Sequence, residues 1–345
     1  MSKKVFLVGP GYIGRTVIDE LLNDKTNYEI TALVRRQEAA DELSNLGVQH
    51  VLGSLEDKDV ISKQTTRTDI VIHTATADDL PSVQAVLEGI KQRASEGKET
   101  IYIHTSGTSE LSDTSKSAYK ADTIFSDNKP EDIDALPDSA SHRLIDLEIL
   151  NARKELGNKA KIYIVLPPLI FGVVKSFGRL SIQVPTMTRF ALKHKYAGHV
   201  GAGKAVWSTV HVSDLARGYV LILHWAESQG SPPKNPYFFC ENGDEISWGE
   251  IAGMIGENLK PSGRVDDSTP REAPEENYGD FFGPYSAVVI GANSRSRAQR
   301  LRELGWKPRE KDVREAFKTE ELPLLLEERG EFRGYEKAAA SGASD

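Results

Sequence analysis

Residues 1–22 read MSKKVFLVGPGYIGRTVIDELL, and the class of fold can be inferred from their pattern. The apolar run over residues 5–8 predicts a strand that is buried on both faces. Gly9, Gly11 and Gly14 follow directly, with the spacing G-x-G-x-x-G. After them the apolar side chains recur on one face of a helix, and they are Val17, Ile18, Leu21 and Leu22. A strand, a glycine-rich turn and a helix in this order are typical of a unit that binds a dinucleotide.

The three glycines have different purposes in such a turn. One allows the tight turn, one lets the backbone approach a pyrophosphate, and one lets the helix pack closely on the strand. The free N–H groups and the positive dipole end of the helix would then face the phosphates. A glycine-rich turn without a ligand is the alternative. The residues that we expect to line this phosphate site are Gly9, Pro10, Gly11, Tyr12, Ile13 and Gly14.

The composition of the 345-residue chain excludes several classes of protein. Its length allows one large domain or two lobes, and a net charge of −8 without a basic block argues against a nucleic-acid partner. Cys240 is the only cysteine, and the eight histidines lack the spacing of a zinc site, so we expect neither disulfides nor a metal. No apolar run approaches the ~20 residues of a membrane span, and the first strand begins too early for a signal peptide. We therefore expect a cytoplasmic protein that does not bind a membrane.

Strands and helices alternate along the first half of the chain. Further apolar runs predict strands at residues 28–34, 49–52, 69–74, 100–104 and 161–166. Helices are predicted between them, at residues 38–46 and 82–92. This alternation predicts an α/β Rossmann fold, a doubly wound parallel sheet with its ligand at the carboxyl ends of the strands. Candidate cofactor contacts at those ends are Ser54, Leu55, Thr74, Ala75 and Thr76.

The second predicted strand ends at Arg35 and Arg36, and no acidic residue stands there. In a Rossmann unit an acidic residue at this place bonds the ribose hydroxyls of NAD, whereas an arginine accommodates the 2′-phosphate of NADP. A solvated pair of charges at the start of a helix is the alternative. The two arginines therefore favour NADP(H) as the cofactor.

Five motifs follow one another along most of the chain. They are Gly11-Tyr-Ile-Gly14, Thr105-Ser106 after the fifth strand, PPLIFG at residues 167–172, VHVSDLA at residues 210–216 and LGWKP at residues 304–308. In this order and spacing the chain resembles the extended and atypical short-chain dehydrogenase/reductases, the epimerase/dehydratase-like group. The resemblance implies an NAD(P)-dependent reaction in which Thr105 or Ser106 holds the substrate oxygen. It also implies that residues 53–55 flank the adenine and that three residues of the PPLIFG segment lie beside the nicotinamide, namely Pro167, Leu169 and Ile170.

The chain departs from this family at the proton donor, the tyrosine of a Y-x-x-x-K motif. None of its eleven tyrosines has a lysine four residues later. The helix predicted at residues 139–150 has His142 and Asp146 at the expected places, and residues four apart are neighbours on one helix face. His142 would serve as a proton donor paired with Asp146, as a contact of ribose or substrate, or as a structural residue. Tyr119, in the polar loop 110–137, is a further candidate donor.

The second half of the chain is expected to supply the substrate side, in a smaller, discontinuous C-terminal lobe. The predicted division gives residues 1–174 and 205–240 to the Rossmann domain, residues 175–204 and 241–332 to the substrate lobe, and residues 333–345 to a disordered tail. The basic residues between 173 and 202 would attract an anionic substrate or form only a solvated helix face. They are Lys175, Arg179, Arg189, Lys193, His194 and Lys195.

Three functions remain open on these observations. The first is an NADP(H)-dependent oxidoreductase acting on a carbonyl or alcohol of a small metabolite, with His142 handling the proton. The second is a non-catalytic redox sensor, since some NmrA-like members of the group lack the tyrosine and act through partner proteins. The third is a nucleotide-sugar epimerase or dehydratase, which is disfavoured because that chemistry normally needs the Y-x-x-x-K motif and tightly held NAD. We expect a small-molecule substrate and a monomer or homodimer.

Overall fold

A seven-stranded parallel sheet forms the centre of the molecule. The structure, a computed structural model, describes residues 2–174 and 176–329, so Lys175 and the predicted tail 333–345 lie outside the described residues. In chain order the strands are β1 (Lys3–Val8), β2 (Tyr28–Val34), β3 (Gln49–Leu52), β4 (Ile70–His73), β5 (Thr100–Thr105), β6 (Phe125–Ser126), β7 (Ala160–Leu166), β8 (Leu169–Phe171), β9 (Tyr196–His199), β10 (Val206–His211), β11 (Tyr237–Phe239), β12 (Glu245–Ser247), β13 (Asp267–Glu272) and β14 (Ser296–Arg297). The large sheet has the order β3-β2-β1-β4-β5-β7-β11, and every neighbouring pair in it is parallel. The predicted doubly wound α/β fold is confirmed.

Helices cover both faces of this sheet. In chain order they are α1 (Tyr12–Leu22), α2 (Gln37–Asn45), α3 (Lys58–Thr65), α4 (Leu80–Ser95), α5 (Pro130–Asp134), α6 (Arg143–Leu156), α7 (Gln183–His194), α8 (Val212–Ser228), α9 (Trp248–Leu259), α10 (Ser286–Val289), α11 (Gln299–Glu303), α12 (Val313–Ala316) and α13 (Leu322–Glu327). Helix α1 packs against α8, while α4 packs against α3 and α6. These two groups lie on opposite faces because the right-handed crossovers leave β1 and β4 in opposite directions along the sheet.

The bounds of the elements agree with the sequence where the apolar pattern is strong. The second and third strands have the predicted bounds, the first begins two residues earlier, at Lys3, and the other three differ by one residue at one or both ends. Helix α3 is missed by the sequence because only Val60 and Ile61 of its eight residues are apolar. The helix predicted at residues 139–150 begins later, at Arg143, and continues to Leu156. His142 therefore precedes the helix rather than forming part of it.

A second hydrophobic cluster is separate from the core around the sheet. Helices α7 and α9 pack against β9 and enclose large side chains such as Phe190 and Trp248. Leu169 and Phe171, predicted within the Rossmann domain, belong to this second cluster. Conversely, the segment that includes Leu301, predicted within the substrate lobe, packs in the first cluster. The chain thus passes between the two clusters more often than the predicted division states.

The two long polar segments of the sequence contain short regular elements. The loop predicted at residues 110–137 includes β6 and α5, and β6 pairs with β14 near the C-terminus. The polar segment at residues 261–280 includes β13, which pairs with β9. Both segments are therefore fixed by backbone hydrogen bonds to the second half of the chain.

Candidate active site

The glycine-rich turn between β1 and α1 has two positions that admit no side chain. A Cβ atom on Gly9 would lie 2.3 Å from the Cα atom of Ala75, and one on Gly14 would lie 2.2 Å from the carbonyl oxygen of Gly9. Gly9 also has a φ of 89°, which residues with a Cβ rarely adopt. The hydroxyl of Thr74 donates a 2.8 Å hydrogen bond to the same Gly9 carbonyl. The end of β4 therefore holds the turn closely against the sheet.

Gly11, in contrast, would accept a Cβ atom at ordinary van der Waals distance. The nearest atom to a Cβ at this position would be a guanidinium nitrogen of Arg179, at 3.6 Å. Gly11 is the N-cap residue of α1, whose N-terminus has no side-chain cap and no acidic residue in its first turn. The first N–H groups of the helix therefore lack an intrahelical partner and point outward. The open turn, the helix N-terminus and the arginine fit a pyrophosphate group.

Tyr12 connects this turn to the second half of the chain. Its hydroxyl donates a 2.6 Å hydrogen bond to the carbonyl of Gly172, directly after β8. The N–H of Gly172 in turn donates to the buried carboxyl of Glu321, at 2.9 Å. Burial raises the pKa of Glu321 to about 8. The glycine-rich turn and the segment predicted to lie beside the nicotinamide are thus joined directly.

Arg35 and Arg36 stand where β2 ends and α2 begins. Arg36 is the N-cap residue of α2, and both side chains are exposed. Neither guanidinium group forms an ion pair with any described residue. Two positive charges at this edge are therefore available to a phosphate group.

The other residues predicted to contact the cofactor also lie at the carboxyl edge of the sheet. Both the N–H and the hydroxyl of Ser54 donate to the carboxylate of Asp57, at 2.7 and 2.9 Å. The carbonyl of Pro167 accepts a 3.0 Å hydrogen bond from the N–H of Thr108. The half-buried residues of this edge are Leu55, Ala75, Thr76 and Ile170, and Leu169 is fully buried.

Thr105 and Ser106, the predicted catalytic hydroxyls, point to different places and neither contacts His142. The hydroxyl of Thr105 is buried and lies 2.6 Å from the hydroxyl of Tyr219 on α8. The hydroxyl of Ser106 is also buried and has no hydrogen-bond partner among the described residues. It lies on the side of Asp146, where it lowers the pKa of that carboxyl against the larger, raising effect of burial. Both hydroxyls thus belong to the interior of the fold.

His142 lies at the start of α6 in a left-handed backbone conformation, with a φ of 65°. Its Nδ1 atom is 2.6 Å from a carboxylate oxygen of Asp78, after β4, and its Nε2 atom is 2.6 Å from the hydroxyl oxygen of Ser109, after β5. The side chain of His142 is 18% exposed and that of Asp78 is 64% exposed. A carboxylate, an imidazole and a hydroxyl therefore form a continuous hydrogen-bonded chain that water can reach.

Partial burial raises the pKa of Asp78, but the hydrogen bond and the positive charge of His142 outweigh this effect. The pKa of Asp78 is therefore held below its ordinary value. A carboxylate that stays ionised in this position favours a proton on Nδ1 of His142, the ring nitrogen that faces it.

The pairing of His142 with Asp146 that the spacing predicted is wrong. Because His142 precedes the first helical residue, its ring turns toward Asp78 and Ser109 instead of following the helix face. Asp146 lies within the helix and is fully buried. The residue that faces Nδ1 of His142 is Asp78.

Asp146 belongs to a cluster of buried ionisable side chains near the start of α6. Arg143 donates to Glu110 at 3.2 Å, and an oxygen of Asp146 lies 3.9 Å from Nε2 of His104. Burial, followed by the charge of Glu110, raises the pKa of Asp146 well above its ordinary value. Burial likewise raises the pKa of Glu110 against the opposing effect of Arg143, and it lowers the pKa of His104. The cluster therefore favours a neutral Asp146 and a neutral His104 around one Arg143–Glu110 pair.

Tyr119 and the basic segment of the second half do not contribute to the chain around His142. Tyr119 is 53% exposed, and its carbonyl accepts a 3.0 Å hydrogen bond from the amide of Asn293. Within the basic segment, Arg189 pairs with Glu328 at 2.6 Å, and Lys193 and His194 both pair with Asp280. These carboxylates offset much of the positive charge that the sequence predicted for a substrate rim.

Two residues of the site, Asp78 and Ser109, escape the sequence analysis. They carry a usable signal, because Asp78 follows β4 and Ser109 follows β5, and the carboxyl ends of adjacent parallel strands meet at one edge. Neither falls within a family motif, so the resemblance alone does not indicate them.

Within the described residues, no group of three or more histidine, cysteine, aspartate or glutamate side chains is arranged to hold a metal ion. None of the helices over the described ranges is both long and apolar enough to span a membrane.

Comparison with known proteins concerns the fold and the family of the chain. A family model for NAD(P)H-binding proteins matches residues 9–151. The oxidase ucsJ from Acremonium sp is 30% identical over 333 residues, which cover 89% of this chain and 93% of that protein. The solved structure of dTDP-glucose 4,6-dehydratase from Bacillus anthracis with NAD has a TM-score of 0.66 at 13% identity and covers 94% of this chain and 96% of its own. UDP-glucose 4-epimerase from Thermotoga maritima with UDP-glucose has a TM-score of 0.62 at 16% identity and covers 91% and 96%. The two solved structures share the fold of this chain.

Proposed function

The chain belongs to the extended and atypical short-chain dehydrogenase/reductase superfamily, the epimerase/dehydratase-like group of NAD(P)-binding Rossmann proteins, and we propose that it is an NADP(H)-dependent oxidoreductase. Its substrate would be a small metabolite with a carbonyl or alcohol group. The observation that carries the proposal is the water-accessible imidazole of His142, which Asp78 and Ser109 hold at the edge of the sheet where a nicotinamide would lie. The 30% identical relative is named an oxidase, which supports redox chemistry.

The choice of NADP(H) rests on Arg35 and Arg36. Their exposed guanidinium groups, which form no ion pair within the described part of the chain, stand at the end of β2, where the 2′-phosphate of NADP lies in this kind of fold. Charge-assisted hydrogen bonds between arginine and phosphate are strong and specific in geometry. Toward the pyrophosphate, the N–H groups at the start of α1 and the guanidinium group of Arg179 would supply the binding contacts.

The proposed reaction needs one group that moves a proton at the substrate oxygen. Bound NADPH supplies a hydride to a carbonyl carbon. His142 replaces the missing tyrosine, because an imidazole can donate and accept protons and the carboxylate of Asp78 holds its ring in place. Thr105 and Ser106 are buried, and we assign them to the packing of β5 rather than to the substrate oxygen.

A binding experiment tests the choice of cofactor. Charge-assisted hydrogen bonds contribute roughly 1.5–3 kcal/mol each, so NADPH should bind about ten- to a hundredfold tighter than NADH. Arg35→Ala and Arg36→Ala should shrink this ratio and leave the affinity for NADH nearly unchanged, as measured by titration calorimetry. Arg67→Ala, an exposed arginine before β4 at the opposite edge of the sheet, is the matched control. Equal affinities of the parent protein for the two cofactors would contradict the proposal.

Gly11→Val tests whether the glycine-rich turn is the phosphate site. A Cβ at this position would meet only the guanidinium group of Arg179, at van der Waals distance, so the variant should fold but lose both cofactors. Circular dichroism checks the fold, and calorimetry checks the binding. Normal NADPH affinity in this variant would place the cofactor elsewhere.

Turnover of NADPH with a panel of aldehydes, ketones and nucleotide sugars tests the reaction itself. Reduction of a simple carbonyl substrate is the expected result. Tight NADPH binding without turnover of any of them would favour a dinucleotide-binding regulator. A cytoplasmic location and a monomeric or homodimeric state stay predictions.

A further inference from the structure

The hydrogen-bonding capacity of the His142 ring is fully used. Asp78 faces Nδ1 and Ser109 faces Nε2, each at 2.6 Å. A proton that leaves Nε2 therefore reaches the hydroxyl oxygen of Ser109 before it reaches any other acceptor. Ser109 itself is only half-buried, unlike the neighbouring residues Thr108 and Glu110, which are buried.

The position of Ser109 relative to the rest of the site supports a role at the substrate. The preceding residue, Thr108, donates its N–H to the carbonyl of Pro167 at 3.0 Å. This hydrogen bond fixes the turn that carries Ser109 against the segment expected beside the nicotinamide. The hydroxyls of Thr105 and Ser106 are buried on the sheet and cannot take the same place.

We propose that Ser109 is the hydroxyl that contacts the substrate oxygen, and that Asp78, His142 and Ser109 form one proton relay. This inference rests on the proposed function and deepens it by naming the group that touches the substrate. Ser109 is thereby a catalytic residue, and Asp78 is a positioning residue that acts through the ring of His142.

The relay balances the reduction of a carbonyl group. The carbonyl carbon receives a hydride, with its two electrons, from the reduced nicotinamide, and the π bond between carbon and oxygen breaks. The oxygen takes the proton of the Ser109 hydroxyl, and the Ser109 oxygen regains a proton from Nε2 of His142. The ring, protonated at both nitrogens beforehand, becomes neutral and keeps its Nδ1 proton toward Asp78. A proton from bulk solvent, which reaches the 18% exposed ring, then restores the proton on Nε2, so the reduction consumes one hydride and one solvent proton.

Kinetics of serine variants test the substrate contact. Ser109→Ala should lower kcat about 10²–10⁴-fold, as expected for loss of a proton-transfer group, with unchanged NADPH affinity. Ser109→Thr keeps a hydroxyl and should retain most of the activity. Ser112→Ala is the matched control, because this serine follows the same turn and makes no contact with His142. Parental kcat in Ser109→Ala would overturn the proposal.

The double variant tests whether the residues act as a unit. Groups that move one proton together lose activity non-additively. Ser109→Ala combined with His142→Gln should therefore cost little more than either change alone. Losses that multiply would show that the two residues act independently and would overturn the relay.

A measurement without turnover separates this inference from the proposed function. In the full chain labelled with ¹⁵N-histidine, Asp78→Asn should shift the Nδ1 resonance of His142 and Ser109→Ala should shift its Nε2 resonance. Ser112→Ala should shift neither. Unchanged ring resonances in both variants would overturn the relay even if the enzyme is active. Shifted resonances together with NADPH binding but no carbonyl turnover would overturn the proposed function, and with it the substrate contact of Ser109, but not the hydrogen-bonded chain.

Discussion

Two histidine–carboxylate pairs lie at the start of α6, and they occupy opposite environments. In the exposed pair, at the carboxyl edge of the sheet, Nδ1 of His142 is 2.6 Å from Asp78, and both side chains are accessible to water. In the core, Nε2 of His104 is 3.9 Å from Asp146, and both side chains are completely buried. The two pairs contain the same chemical groups, so their difference shows what the surroundings contribute.

Access to water separates the two carboxylates. In the exposed pair, the contact with His142 outweighs partial burial and holds the pKa of Asp78 below its ordinary value. In the core, burial raises the pKa of Asp146 and lowers the pKa of His104, which favours neutral forms of both. An ionised carboxylate beside a ring that water reaches can support proton exchange, whereas a neutral buried pair contributes to packing. This difference assigns chemistry to the first pair and structure to the second.

The largest expected effect is that of His142→Gln, which tests whether the exposed pair of His142 and Asp78 takes part in proton transfer. Glutamine keeps polarity and similar bulk but removes the titrating group. The kcat for a carbonyl substrate should fall roughly 10²–10⁴-fold, while NADPH affinity should change little. Tyr119→Phe, which removes the exposed loop hydroxyl, is the control for the other candidate donor. Parental kcat in His142→Gln would remove the distinction between the two pairs.

The next effect tests the structural assignment of the core cluster. Arg143→Met would leave the buried carboxyl of Glu110 without its partner. Loss of one member of a buried ion pair costs about 3–5 kcal/mol of the free energy of unfolding, which denaturant titration measures. Lys91→Met, which breaks an exposed pair with Glu155, should cost about 1 kcal/mol or less. Equal costs in the two variants would mean that burial does not distinguish the core cluster from the surface.

The smallest effect concerns stability as a function of pH, and it should have opposite signs in the two pairs. The raised pKa of Asp146 means that the folded state binds the extra proton. Its contribution is therefore complete below the ordinary carboxyl pKa of about 4 and is lost as the pH rises above it. The lowered pKa of Asp78 acts in the other direction, with a contribution present above that ordinary value and lost as the pH falls.

Denaturant titrations between about pH 3 and pH 8 check these signs. Asp146→Asn should remove part of the decline toward high pH, and Asp78→Asn should remove part of the decline toward low pH. Changes of the same sign in the two variants would contradict the assignment of opposite environments.

Much of the fold could be predicted from the sequence because its signals are local. The apolar run at residues 5–8, the spacing of Gly9, Gly11 and Gly14, and the alternation of strands and helices each depend on neighbouring residues. The need for glycine in the turn after β1 is also read from neighbouring residues, and the close approaches at Gly9 and Gly14, which leave no room for a Cβ atom, agree with it. Helix α3 was missed because its local signal is weak.

The candidate site was predictable only in part. The departure from the Y-x-x-x-K motif drew attention to the start of α6 and to His142. The spacing of four residues then joined His142 to Asp146, although the helix begins only after His142. One residue at a helix boundary was sufficient to change the partner, because a ring outside the helix does not follow the helix face.

The sequence by itself determined that this chain forms a doubly wound parallel sheet with a glycine-rich turn at its first strand. Only the tertiary structure decided which carboxylate and which hydroxyl meet His142, because Asp78 and Ser109 are 64 and 33 residues distant from it along the chain. It also decided which histidine is exposed to water and which is buried. Secondary structure follows from the periodicity of nearby side chains, whereas contacts between distant residues and access to water are properties of the packed molecule as a whole.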